Sequence, residues 1–491
     1  MTRRARFSVL SALALLLAAC FGSWGRPERP QGDAAWVSDP AALDGLDVAA
    51  LQAGGLKELF VETGTLDWDG AVPHVAVEHL QTVGGPIRVT LVVKGSWGPT
   101  LGESKTAGGR LADEIKRLVL AAQARGLSPV GVHLDLEAAG NLTSYAQGLR
   151  AVRGELQKTL LLSTSIRRSW LADEAVGKVA RAVDYCVVFV YGQRPGEDDD
   201  PSAWDLQEVG KTLRAAEALK GPYVAGVITL GSATHQGVRG ESLEWTSTLG
   251  LGDLVRNPRL KMQGGFTLEG LDRSVYGFRA EAPTTVGDWQ LTRGQGVRVV
   301  GTGPNYLQGL RKRIAEIATP RHRGDVYFRL PLATERLTPS AAQLMDALGP
   351  GTASPDLALS VELVERNSQH WVFKILLENR NDEHSDIALL DNNFVEASAR
   401  GGVLGDVQPG AYPRFELLRQ GSDAVDMAAL RAPERVRLYL PVLEGKGIYA
   451  SGPIELRLKE RSAELTLSAS FLLPDGRVVT APSLVWTPPA K

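Results

Sequence analysis

Three ionisable side chains, His133, Asp135 and Glu137, alternate along one short apolar stretch, VGVHLDLEAAG (130–140). Residues two apart on a β-strand share a face, so these three point together. A buried charge is costly unless it is paired or used. A carboxyl group in a low-dielectric pocket can keep its proton near neutral pH, so Glu137 could act as a general acid. Asp135 could then hold or relay that proton, with His133 neutralising Asp135.

The surrounding chain alternates between apolar β-like runs and amphipathic helices. Continuous Val, Ile, Leu and Phe are typical of strands buried on both faces of a parallel sheet. The predicted strands are 34–38, 58–63, 87–94, 129–137, 160–166, 184–191, 223–230 and 325–330. The spacing of apolar residues predicts helices at 110–125, 143–156, 173–183 and 305–317. This alternation predicts an α/β fold, a (β/α)8 TIM-type barrel. A doubly wound open sheet is the alternative, although no GxGxxG follows the first strand.

In such a barrel the carboxyl ends of the strands open at the face that carries active sites. Glu137, the last residue of its strand, is therefore predicted to lie at that mouth. Trp97, Trp170 and Trp204 follow other predicted strands, where they either stack on sugar rings or pack within loops. Arg167 follows the fifth predicted strand and either clamps an anionic sugar or lies solvated at the surface.

The rest of the chain divides by pattern. Short β-like pieces between Gly-rich turns predict a β-excursion on the loop before the last barrel strand. Glu269 and Trp289 in this excursion lie near the mouth, or else belong to a structural flap. After a linker, period-two alternation predicts a smaller all-β sandwich domain. The predicted bounds are the barrel at 34–345, the excursion at 261–300, the linker at 346–356 and the β-sandwich at 357–491.

The N-terminal residues carry a targeting pattern. Arginines at 3, 4 and 6 precede an apolar run that is too short to span a bilayer, which predicts a signal peptide over 1–19. LAAC (17–20) resembles the lipobox of bacterial lipoproteins, which implies acylation of Cys20 and a membrane lipid as its partner. An ordinary secretory signal is the alternative. Residues 20–33 then form a tether, and Phe21 in place of Asp favours an outer-membrane address.

Composition argues against two classes of function. A formal net charge of −2 provides no basic excess for binding phosphates, which argues against a nucleic-acid binder. The seven histidines are scattered and neither CxxC nor HExxH occurs, so no metal site and no cofactor are predicted.

GVHLDLE resembles the G-x-D-x-D-x-E strand of the chitinase-type (family eighteen) glycoside hydrolases, which are (β/α)8 barrels. The resemblance implies that Glu137 is the acid and that Asp135 orients the acetamido group of the substrate, which acts as the nucleophile. Tyr191 in VFVYGQ matches the family's Tyr. His133 and Gly192 stand where the family has Asp, so both depart from its pattern.

Residues 30–345 also resemble a bacterial family of unknown function, made up of envelope barrel proteins with an acidic fourth strand and a closing FRLP strand. That resemblance implies a fold and a compartment, but no reaction.

Taken together, these patterns favour a lipid-anchored protein of the cell envelope whose glycosidase-like barrel binds a polysaccharide. An N-acetylated glycan is favoured, and hydrolysis stays open. The candidate site residues are Glu137, Asp135 and Tyr191 for catalysis and His133, Trp97, Trp170, Trp204 and Arg167 for substrate binding. The alternative is a non-catalytic structural or assembly lipoprotein whose acidic strand forms an internal salt-bridge network. Its β-sandwich would then contact a protein partner.

Overall fold

The computed structural model describes most of the chain. The described residues are 32–43, 47–78, 80, 83, 85–138, 140–191, 206–267, 274–302, 304–318, 320–332, 334–349, 353–385, 392–421, 431–460, 462–473 and 477–487. They form two compact units, one made of the described residues of 32–191, 206–228 and 313–332, the other of those of 229–312 and 334–487. No helix in these ranges is long and apolar enough to cross a membrane.

The first unit is built on parallel strands whose side chains are mostly buried. In chain order the strands are β1 (Asp33–Val37), β2 (Leu56–Asp69), β3 (Val72–Val77), β4 (Arg88–Ser96), β5 (Pro129–Glu137), β6 (Leu161–Ile166), β7 (Tyr185–Phe189) and β8 (Tyr223–Ile228). β3 forms an antiparallel hairpin with β2, and the other seven run parallel to their neighbours. Their apolar runs bury both faces, as a sheet covered by helices requires.

Helices connect these strands. They are α1 (Val48–Ala53), α2 (Ser104–Ala124), α3 (Leu142–Glu155), α4 (Val176–Ala180) and α5 (Leu206–Glu217), with 3-10 turns at Pro40–Leu43 and Arg168–Ala172. α2 buries Leu111, Ile115 and Leu118 along one face. α2 and α3 pack so closely that a Cβ at Gly108 would lie 2.3 Å from the Gly148 carbonyl oxygen. The helix predicted at 173–183 is shorter, since only α4 is α-helical there.

An antiparallel insert follows β8. Its strands are β9 (Ser232–Gln236), β10 (Ser242–Thr246), β11 (Leu260–Thr267), β12 (Ser274–Ala280), β13 (Thr284–Val286), β14 (Trp289–Leu291) and β15 (Gly296–Val300), with α6 (Leu251–Val255) between β10 and β11. Five strands form one sheet in the order β10-β9-β15-β12-β11, and β13 pairs with β14. The insert begins at Ser232, earlier than the predicted excursion. Ala233, Leu254 and Phe278 belong to a hydrophobic core of its own, and the insert is part of the second unit.

The chain returns through α7 (Pro304–Ile317) to β16 (His322–Phe328), which closes the sheet of the first unit. β16 pairs in parallel with β8 on one side and with β1 on the other, and β1 also pairs with β2. The strands β1, β2, β4, β5, β6, β7, β8 and β16 therefore form a closed ring. The predicted (β/α)8 barrel is confirmed.

In the described part of the C-terminal region, one short helix, α8 (Ala341–Leu348), extends into the predicted linker and is followed by eleven β-strands. Its strands are β17 (Leu357–Arg366), β18 (His370–Asn379), β19 (Phe394–Arg400), β20 (Gly402–Val407), β21 (Arg414–Leu418), β22 (Arg435–Tyr439), β23 (Ile448–Ala450), β24 (Ile454–Leu458), β25 (Glu464–Leu472), β26 (Val478–Thr480) and β27 (Leu484–Trp486). They form two antiparallel sheets. Phe373 from one sheet and Leu467 from the other belong to a common core, as expected for the predicted β-rich domain, which is confirmed.

Candidate functional site

His133, Asp135 and Glu137 lie on one face of β5, successively closer to the carboxyl end of the strand. His133 is fully buried, Asp135 is 8% exposed, and the side chain of Glu137 is 52% exposed. The apolar residues between them are fully buried. Since Glu137 ends the strand at the carboxyl end of the parallel sheet, it lies at the mouth of the barrel.

His133, near the middle of β5, is buried among hydroxyl groups and aromatic rings. Its Nδ1 is 2.9 Å from Ser163 Oγ and its Nε2 is 2.9 Å from Ser165 Oγ. The Trp36 and Phe60 rings meet it edge-on, with centroids at 5.3 and 5.4 Å. Burial lowers the pKa of His133 to about 4, so the imidazole is neutral at neutral pH. The expected neutralisation of Asp135 by His133 is therefore not supported.

The lowered pKa of His133 predicts a stability change in acid. The unfolded chain takes up the proton near its ordinary pKa of about 6.5, before the folded state does at about 4. The free energy of unfolding should therefore fall as the pH drops below about 6.5, by about 3 kcal/mol once it reaches about 4. Urea denaturation across this range should show that His133→Gln lacks this component. His74→Gln, at an exposed position on β3, should still show the loss of unfolding free energy in acid. The prediction is contradicted if wild type, His133→Gln and His74→Gln have the same pH profile.

Arg167, which directly follows β6, supplies the positive charge beside Asp135. Its Nη2 lies 2.7 Å from Asp135 Oδ1, and its Nε lies 4.0 Å from Glu137 Oε2. The guanidinium also stacks over the Phe189 ring, 4.8 Å from its centroid. One guanidinium thus links the buried carboxylate to the half-exposed one and offsets the repulsion between them.

A second ion pair lies in the neighbouring strands. Lys94 Nζ on β4 is 2.5 Å from Glu62 Oε2 on β2, and Trp36 Nε1–H donates to Glu62 Oε1 at 2.7 Å. Burial raises the pKa of the Glu62 carboxyl, and the hydrogen bond and charge of Lys94 oppose that shift. Lys94 is also the direct neighbour of Asp135 in the register between β4 and β5. Acidic and basic groups therefore alternate across the four neighbouring strands β2, β4, β5 and β6. In that order they are Glu62, Lys94, Asp135 and, directly after β6, Arg167.

Sequence reasoning did not single out Lys94 or Trp36 as site residues. Trp36 lies in the middle of its predicted strand, whereas Lys94 ends its predicted strand, as Glu137 does. That position was the available signal, and the pairing of Lys94 with Glu62 was visible only once the strand order was known.

Tyr191 lies just after β7, on the same side of the barrel as Arg167. Its ring centroid is 5.1 Å from that of Phe189 and 6.2 Å from that of Phe328, and the residue is 8% exposed. Since Arg167 stacks on the same Phe189 ring, the structure brings Tyr191 into the cluster that contains Asp135.

Trp97 and Trp170 are buried between secondary-structure elements. Trp97 Nε1–H donates to Ser144 Oγ at 3.0 Å, and a Cβ at Gly148 of α3 would lie 2.2 Å from the Trp97 ring. Trp170 meets the Tyr145 ring at right angles, with centroids 6.4 Å apart. Exposures of 5% and 3% leave no open ring face for a sugar, so these two residues pack as in the loop-packing alternative.

Other predicted positions lie elsewhere. Trp289 stacks on His235 in the core of the antiparallel insert and is 7% exposed. Among the described residues, no three His, Cys, Asp or Glu side chains group as metal ligands. The predicted positions outside the described residues are Cys20, Gly192, Trp204 and Glu269.

The cluster can therefore bind and orient a polar ligand at the mouth. Asp135 and Glu62 already carry strong ion pairs, whereas half of the Glu137 side chain faces solvent. Glu137 is the carboxyl of this cluster that is positioned to meet a ligand, either as a hydrogen-bond acceptor or as a proton donor.

No protein-family model and no curated protein matches the chain, so its resemblance to an envelope family stays a prediction. Three solved structures illustrate the structural likeness. The spore cortex-lytic enzyme SleL of Bacillus cereus is 15% identical with a TM-score of 0.44, over 65% of this chain and 74% of that one. Chitinase ChiA74 of Bacillus thuringiensis is 11% identical (TM-score 0.43; 88% and 98% covered), and a class V chitinase of Pseudomonas fluorescens is 14% identical (TM-score 0.43; 66% and 100% covered). The barrel itself is established by its strand pairing, and the structural neighbours are chitinase-like glycosidases.

Proposed function

We propose that this protein binds a glycan at the mouth of its (β/α)8 barrel while anchored in the cell envelope through acylated Cys20. An N-acetylated glycan is the favoured ligand, because Asp135, Tyr191 and Glu137 match, by sequence resemblance, the residues that steer the acetamido group and donate the proton in chitinase-type hydrolases.

The arrangement of Asp135, Arg167 and Glu137 carries this proposal. Arg167 donates a hydrogen bond to Asp135 at 2.7 Å, which positions that carboxylate before a ligand arrives, and the same guanidinium lies 4.0 Å from Glu137. Preorganised polar groups at the mouth of a barrel are typical of ligand sites in this fold. The half-exposed Glu137 gives the cluster its contact with solvent.

The test is Glu137→Gln, measured for binding and turnover of chitin oligosaccharides, peptidoglycan fragments and chitosan oligosaccharides. The amide keeps the size of the side chain but cannot donate a carboxylic proton. If Glu137 is a general acid, binding should persist and turnover should fall by roughly 100-fold or more. If the barrel only binds glycan, wild type and variant should both bind without turnover, with an affinity change of at most roughly tenfold.

Glu155→Gln is the matched control, because Glu155 ends α3 in the helix layer and its side chain is 60% exposed. This variant should bind glycan as wild type does. Absence of binding to every probe by the wild-type protein would refute the proposal, whatever the variants do.

A second candidate is supported by the ion pairs themselves. Asp135 pairs with Arg167 and Glu62 pairs with Lys94, as in an internal salt-bridge network that braces a structural or assembly lipoprotein. In that case Glu137→Gln would change only the unfolding temperature, and no glycan would bind.

A further inference from the structure

The second compact unit contains a cavity of about 250 Å³, and none of the candidate site residues at the barrel mouth lines it. It lies where the antiparallel insert, the segment around α8 and two loops of the β-sandwich meet. The insert contributes Leu251, Tyr276, Val299 and Gly301, the segment around α8 contributes residues 335–340 and Gln343, and the sandwich loops contribute Asp382, His384 and Glu444. The volume is just below the ~300–1,000 Å³ of pockets for drug-sized ligands, which suits a smaller molecule.

Three charged groups of the wall, Arg336, Glu444 and Asp382, form ion pairs within the protein. Arg336 donates from Nη1 to Asp253 at 2.7 Å and from Nη2 to Glu444 at 2.8 Å. Asp382 pairs with Lys446 at 2.8 Å. Because these residues already pair with each other, they cannot neutralise the charge of a ligand. Burying an uncompensated charge in a partly enclosed site costs binding free energy.

Further hydrogen-bonding groups complete the polar wall. Gln343 donates from Nε2 to the Asp382 carbonyl at 2.9 Å, and its Oε1 caps the backbone N–H of Ser340 at 2.9 Å. The Glu335 carboxylate accepts from Ser247 Oγ at 2.6 Å. The wall is therefore polar, rigidly held and able both to donate and to accept hydrogen bonds.

Apolar side chains lie between these polar groups. They are Leu251, Tyr276, Val299, Leu337 and Val442. An apolar ligand would bury the polar groups of the wall without giving them hydrogen-bond partners, and a charged ligand would find no counter-charge in the ion pairs of the wall. The ligand that satisfies both surfaces is small and neutral, with apolar C–H faces and several groups that donate and accept.

We propose that this cavity is a second glycan-binding site, which takes a single neutral sugar residue or the end of a neutral glycan chain. The site is independent of the barrel mouth and does not rest on the function proposed for it. It would allow the C-terminal unit to hold a polysaccharide on its own.

Gly301 offers a direct test, because it lines the cavity and a Cβ built on it meets nothing within 4 Å. Gly301→Leu should therefore reduce the cavity volume, with its Cβ in open space. Gly309→Leu on α7 is the matched control, since its Cβ position is equally open and it does not line the cavity. Thermal unfolding should show that both variants are folded. If Gly301→Leu does not fold, Gly301→Ala replaces it and should weaken sugar binding by a smaller factor.

The measurement is calorimetric titration of the full chain in detergent with N-acetylglucosamine, glucose, glucosamine and glucuronate. The proteins are wild type, Gly301→Leu, Gly309→Leu, Arg167→Met and the Gly301→Leu/Arg167→Met double variant. We expect at least one neutral sugar to bind the Arg167→Met protein, and the double variant to lose that binding by more than tenfold. Gly309→Leu should match wild type.

The outcomes separate the two proposed sites. Binding that disappears with Arg167→Met alone and is untouched by Gly301→Leu would overturn the cavity proposal and leave the barrel site standing. Binding that disappears with Gly301→Leu alone would support the cavity and count against the barrel site. Tighter binding of glucosamine or glucuronate at the cavity would overturn its assignment to a neutral ligand, and absence of sugar binding in all proteins would overturn both.

Discussion

Arg167→Met is expected to weaken glycan binding at the barrel mouth by roughly 10- to 100-fold, as the loss of a hydrogen bond to a charged group predicts. The substitution removes the guanidinium that lies 2.7 Å from Asp135 and 4.0 Å from Glu137. The two carboxylates then repel each other without compensation, and their positions are no longer fixed. The free energy of unfolding should also fall by about 2–3 kcal/mol, because Asp135 is left buried without its partner.

Arg167→Lys sharpens this test. Lysine keeps the positive charge but cannot span two carboxylates or stack flat over the Phe189 ring. It should therefore recover most of the stability and only part of the affinity. Calorimetric titration with chitin oligosaccharides and urea denaturation provide the two readouts. Wild-type affinity in a folded Arg167→Met protein would show that the pair with Asp135 is not part of a ligand site.

Arg153→Met is expected to cost about 3–5 kcal/mol of folding free energy without altering the barrel mouth. Arg153 on α3 pairs with Asp184, Nη1 to Oδ2 at 2.9 Å, and the Asp184 side chain is 2% exposed. Asp184 precedes β7 at the amino end of the barrel, where its Oδ2 also accepts from the Leu162 N–H at 2.9 Å. Removing the guanidinium leaves a buried negative charge next to an apolar strand.

The double variant Arg153→Met/Asp184→Asn tests the cause. Asparagine removes the charge and can still accept from the Leu162 N–H, so the double variant should regain more than half of the stability lost in Arg153→Met. Denaturant midpoints of both variants and of wild type measure this. If Arg153→Met and the double variant are equally destabilised, the buried charge is not the cause. The effect then comes from lost packing of the arginine stem and from the lost hydrogen bonds of its guanidinium to the Leu156, Gln157 and Leu160 carbonyls.

Because Arg153→Met lies at the opposite end of the strands from Glu137, it also serves as the control for Arg167→Met. Both variants lose an arginine that pairs with a buried aspartate. Only the substitution at the mouth should reduce glycan affinity.

The barrel and the β-rich C-terminal domain were predictable from the sequence, because hydrophobic periodicity reports burial directly. Few folds bury the apolar surface of eight apolar runs that alternate with amphipathic segments, and a closed parallel sheet covered by helices is one of them. The same local rule placed His133, Asp135 and Glu137 on one face of β5, since side chains alternate along any strand.

The insert was harder to place. Its first strands, β9 and β10, are only five residues long, and β10 exposes its apolar residues Leu243 and Trp245, so this segment resembles a loop. Only the pairing of β9 with β15, over 60 residues later in the chain, makes them part of a sheet.

The sequence by itself determined which residues could ionise at the mouth and on which face of the strand they lie. Only the tertiary structure decided their partners: Arg167 for Asp135, Lys94 for Glu62, and two serine hydroxyls for His133. These contacts join residues about 30 positions apart, on different strands. Strand order and register set such distances, and a local hydrophobic pattern carries no information about them. For the same reason Trp97 and Trp170, both predicted at the mouth, became buried packing residues once α3 lay against them.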